Sequence, residues 1–84
     1  MTAHTHNFVE QYHGLVGFGL NRKTDEYTLT YYLQKFSDDR FIALIRKRMS
    51  QAEMEMLFKT LTGLLKTHLT DEEYHEYFLK DRQT

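Results

Sequence analysis

Histidine is the residue type of this chain best suited to metal chemistry, and its five copies fall towards the two ends. His4, His6 and His13 lie near the N-terminus; His68 and His75 lie near the C-terminus. If the initiator methionine is removed, the chain begins Thr2-Ala3-His4. A terminal amine, two deprotonated amides and a third-position imidazole then make a square-planar nitrogen set for Cu(II) or Ni(II). The motif is short and arises by chance, so His4 is a metal candidate set against an ordinary solvated terminus. His68, Glu72 and His75 could meet at a helix corner, but H-x3-E-x2-H is not a zinc-protease spacing. No cofactor is expected.

Phosphate contact is the second chemistry within reach. Arg22, Lys23, Arg40, Arg46, Lys47 and Arg48 make up a candidate basic patch. Arg46-Lys47-Arg48 has a plainer explanation, because cations at the end of a helix complement its dipole. A helix-turn-helix reading fails as well. Its second helix would open with Gln51, Glu53 and Glu55, and the two carboxylates would repel DNA. Catalysis finds less support still. There is no G-x-S-x-G, no phosphate-cradling glycine loop and no cysteine nucleophile. Asp38-Asp39 and Asp71-Glu72-Glu73 sit where helix N-termini favour negative charge. The expectation is a protein that is not an enzyme.

Composition sets the outer limits. Eighty-four residues give one domain, 1–84, with frayed ends at about 1–6 and 80–84. Eleven Lys/Arg against twelve Asp/Glu leave a formal charge of −1, which lacks the basic excess of a dedicated nucleic-acid binder. The absence of cysteine permits a reducing compartment. The N-terminus has no secretory pattern, and no apolar run approaches the ~20 residues of a membrane span. The reading is a cytoplasmic protein without a membrane segment.

The elements that must position these residues follow from capping and periodicity. Asn7-Phe8-Val9-Glu10 resembles a capping box opening a short helix, with Gly14 as its terminator. Residues 15–32 sort into a hairpin if Arg22-Lys23-Thr24-Asp25 form the loop. Val16, Phe18 and Leu20 then face Tyr31, Leu29 and Tyr27, while Gly17 and Gly19 face Thr30 and Thr28. From Ser37 onward the pattern is helical. Ser50-x-x-Glu53 and Thr70-x-x-Glu73 are capping boxes, and Met54, Leu57, Phe58, Leu61, Leu64, Leu65 and His68 share one face.

The expected fold is therefore α+β. It comprises a short N-terminal helix, a two-stranded antiparallel hairpin (about 15–21 and 26–34) and three helices (about 39–49, 51–68 and 71–79). The alternative is an all-α five-helix bundle, in which residues 8–36 are helical despite three glycines. In the α+β reading the 51–68 helix covers the hairpin's apolar side. Open strand edges would then recruit a second copy, giving a homodimer. The opposite hairpin face, Gly17, Gly19, Thr28, Thr30 and Tyr32, is the candidate contact surface for a protein partner. Functionally the chain reads as a small interaction or regulatory module. Weak nucleic-acid binding through the basic patch, or metal handling through the N-terminal histidines, are the alternatives.

Overall fold

The computed structural model describes residues 6–81. Five helices occur among them: α1 (Asn7–Gln11), α2 (Arg22–Phe36), α3 (Asp39–Arg48), α4 (Gln51–His68) and α5 (Asp71–Glu73). The last continues as a π-helical stretch, Tyr74–Leu79. Among the described residues there is no strand, so the fold is all-α and the α+β expectation is overturned. The candidate metal ligand His4 lies outside the described residues, as do most of the ends expected to fray. No helix among the described residues is long and apolar enough to cross a membrane.

The hairpin fails at its proposed loop. Asn21 does not open a turn; its backbone is extended and its side-chain oxygen accepts from the Thr24 amide at 2.9 Å. That is an N-cap, and Arg22-Lys23-Thr24-Asp25 become the first turn of α2. Asp25 places negative charge at the helix N-terminus, and Arg22 pairs with Glu26 one turn on. Tyrosine and threonine favour strands as isolated residues, but here each has a helical use. The Thr30 hydroxyl donates to the Glu26 carbonyl at 3.0 Å, four residues back. Tyr27 and Tyr31 share one helical face, with Lys23 and Lys35 seated over their rings at 5.5 and 5.1 Å. Local capping and side-chain pairing outweigh intrinsic strand preference.

The chain divides into two compact units, 6–48 and 49–81 among the described residues. In the first, residues 6–20 run antiparallel along α2. His6 Nε2 lies 2.7 Å from Ser37 Oγ, and the Val9 amide donates to Gln34 Oε1 at 2.8 Å. Farther along, Gly17 meets Thr28, and the amides of Gly19 and Leu20 donate to Asp25 Oδ1 at 2.8 and 3.4 Å. Between them sits an aromatic cluster. Phe8 stacks on Tyr12 at 4.9 Å, and Tyr12 leans on Tyr27 and Tyr31 at 5.5 and 6.1 Å. Two local expectations change here. The Asn7 capping box does not form, since His6 is the N-cap and its side chain makes no capping bond. Gly14 ends no helix, because Tyr12 has already turned extended.

Asp38 caps α3 by accepting from the Phe41 amide at 3.0 Å. Phe36 and Phe41 then meet edge-to-face at 5.2 Å across the α2–α3 corner.

In the second unit both capping boxes form. Ser50 Oγ accepts from the Glu53 amide and Glu53 returns to the Ser50 amide, at 3.1 and 2.9 Å. Thr70 and Glu73 repeat the arrangement at the same distances. The π-helical stretch ends at Lys80, whose φ of 56° turns the chain left-handed. There the Asp81 amide donates to the His75 carbonyl at 3.2 Å, and the Asp81 carboxylate meets His75 Nδ1 at 3.0 Å.

Candidate interaction surface

Thr28, 4% exposed, is the one buried residue among those described, and no apolar side chain joins it. Its hydroxyl is used twice: it accepts from the Gly17 amide at 3.0 Å and donates to the Gly17 carbonyl at 3.0 Å. A hydroxyl has the inventory for both. Gly17 thereby has both backbone groups satisfied by a side chain, where a strand would have used a neighbouring strand.

This placement reorganises the expected contact face. Gly17, Gly19, Thr28, Thr30 and Tyr32 do not share a sheet surface. Gly17 and Thr28 are occupied with each other, Gly19 is held by Asp25, and the Thr30 hydroxyl is held by its own helix. Tyr32 alone of the five presents a large exposed side chain. It lines a cleft of about 670 Å³ with His6, Val9, Phe36 and Phe41. Sequence reasoning missed His6 and Phe41 here. The signal was the pair of caps at Asn21 and Asp38, which turn α2 and α3 into neighbours across a short corner.

The basic residues are spread along the first unit. Arg22 and Lys23 open α2, a helix about 22 Å long at 1.5 Å per residue, whereas Arg40 follows its far end. Arg22 donates to Glu26 Oε2 at 2.8 Å. That hydrogen bond, with the attraction of opposite charges, raises the Arg22 pKa and holds the Glu26 carboxyl below its ordinary value. Lys23 lies over Tyr27, and Arg46, Lys47 and Arg48 occupy the last turn of α3. Among the described residues no three His, Asp or Glu side chains are grouped to hold a metal ion.

The largest feature is apolar. Leu29, Tyr32, Leu33 and Phe36 on α2 are exposed, as are Phe41 and Leu44 on α3. On α4, Met54, Leu57, Phe58, Leu61 and Leu64 are all exposed, Phe58 at 67% and Leu61 at 43%. Sequence reasoning found this α4 stripe but assigned it to covering a sheet that the described residues do not form. Side chains at this spacing form one continuous helical face, and its chemistry is non-directional burial against another apolar surface. No protein-family model, curated protein or solved structure matches this chain.

Proposed function

We propose that this chain is a non-enzymatic interaction module that works as a homodimer, its apolar helical faces packing on a second copy. One observation carries the reading: among the described residues not a single apolar side chain is buried, while α4 carries an exposed apolar stripe along its length. Helices of this size are marginal alone in water and draw most of their stability from packing an apolar face. Each large side chain buried contributes about 1.5–3 kcal/mol, so a partner surface supplies what one chain leaves unused. The dimer therefore rests on helix faces. The strand edges first expected to recruit the second copy are absent from the described residues. A reducing compartment such as the cytoplasm suits a chain without cysteine.

Concentration dependence tests the reading. When a chain is stabilised by association, its Tm rises with protein concentration. Thermal unfolding followed by circular dichroism is expected to shift upward over a hundredfold concentration range. A Tm independent of concentration would overturn the proposal. Salt distinguishes it from phosphate binding, which weakens steeply as salt rises.

A further inference from the structure

The apolar stripe of α4 has a symmetry that specifies how two copies meet. Its positions are the apolar Met54, Leu57, Phe58, Leu61, Leu64 and Leu65, with His68 closing the same face. Successive intervals are three, one, three, three, one and three, the same read from either end, with Leu61 at the centre. Any stripe matches itself in parallel pairing. Only a stripe with symmetric spacing also matches itself when the second helix is reversed. Reversed about Leu61, Met54 lies opposite His68, Leu57 opposite Leu65, and Phe58 opposite Leu64.

Charge chooses between the two arrangements. Residues 51–58 hold Glu53 and Glu55 and no basic side chain; residues 59–68 hold Lys59, Lys66 and His68 and no acidic one. Parallel pairing sets acidic end against acidic end and aligns the two helix dipoles side by side. Antiparallel pairing sets each acidic end beside a basic end and opposes the dipoles. Opposite-signed ends of one helix make a second copy the complementary occupant of this face.

From the symmetric stripe and the segregated charge we infer that α4 pairs antiparallel with α4 of a second copy, on a two-fold axis passing beside Leu61. The inference rests on the homodimer reading and gives it an isologous contact, in which each helix contributes the same residues. Met54 and His68 of the two copies meet at the ends of the seam. Met54 of one copy stands about 21 Å along the axis from Met54 of the other.

The chain contains no cysteine, so single cysteines introduced into the full-length protein report this geometry without background. Leu61→Cys, Met54→Cys and His68→Cys are each measured by light scattering, then oxidised and run on non-reducing gels. A disulfide needs Cα atoms within about 7 Å. Leu61→Cys is expected to cross-link to itself. Met54→Cys and His68→Cys are expected to cross-link when mixed, on the order of tenfold more than either alone. Self-cross-linking of Met54→Cys would overturn the inference in favour of a parallel seam. A dimer in which none of the three cross-links would place the contact elsewhere, overturning the inference and leaving the homodimer reading intact. A single-chain mass before oxidation, in the wild type and all three variants, would overturn both.

Discussion

Gly17 and Thr28, eleven residues apart, hold each other by two hydrogen bonds of 3.0 Å through one hydroxyl. This clasp fastens the extended segment before α2 to the middle of that helix, at the one buried residue among those described. Thr28→Val keeps the shape and removes the hydroxyl, leaving the Gly17 amide and carbonyl without partners. The expected loss is about 1–3 kcal/mol, with Thr28→Ser losing less. Urea unfolding measures both, and a Thr28→Val midpoint equal to that of the wild type would remove the clasp from the account.

The Arg22–Glu26 pair predicts a titration. Because the Glu26 pKa is depressed in the folded chain, the pair's contribution is present above the ordinary glutamate range. It is lost as pH falls through the depressed value. The Glu26 carboxyl carbon, followed by NMR, should titrate below an ordinary glutamate. In Arg22→Gln its midpoint should move up. An unmoved midpoint contradicts the pairing. Both side chains are exposed, so raised salt should shrink the effect.

Two glycines should respond in opposite directions to alanine. Gly19 has a φ of 90° with open space around the missing Cβ, so Gly19→Ala meets backbone strain alone. A cost of about 1–2 kcal/mol is expected. Gly63 lies inside α4, also in open space, and Gly63→Ala should stabilise by about 0.5–1 kcal/mol through helix propensity. Thermal unfolding of the two variants reads both signs.

The Ser50 capping box fixes where α4 begins. Ser50→Ala should cost about 1 kcal/mol, and Ser50→Asp should recover most of it. Helix content from circular dichroism in mild urea is the readout. Equal content in all three proteins would mean that the box contributes nothing to α4.

The two capping boxes and the range 51–68 were legible because each signal is local: a cap, an acidic first turn and a single apolar period. Residues 15–36 were not. Their alternation of apolar and small residues satisfied a strand period, and nothing in the period alone says whether Asn21 opens a turn or caps a helix. The antiparallel neighbourhood itself is present, since Gly17 lies beside Thr28 and Gly19 beside Asp25. One arm of it, however, is helical and satisfies its own backbone. The interaction surface was half legible for a related reason. Periodicity found the α4 stripe, but what covers a stripe is tertiary information, and an expected sheet had already been assigned to it.

The central claim is that exposed helical faces bring two copies of this chain together, and molar mass tests it most directly. Light scattering on the wild type at micromolar concentration should give twice the chain mass, and Leu61→Asp, with a charge at the centre of the α4 stripe, should give the chain mass with a lowered Tm. A wild-type chain that stays at single-chain mass throughout the concentration range would contradict the account.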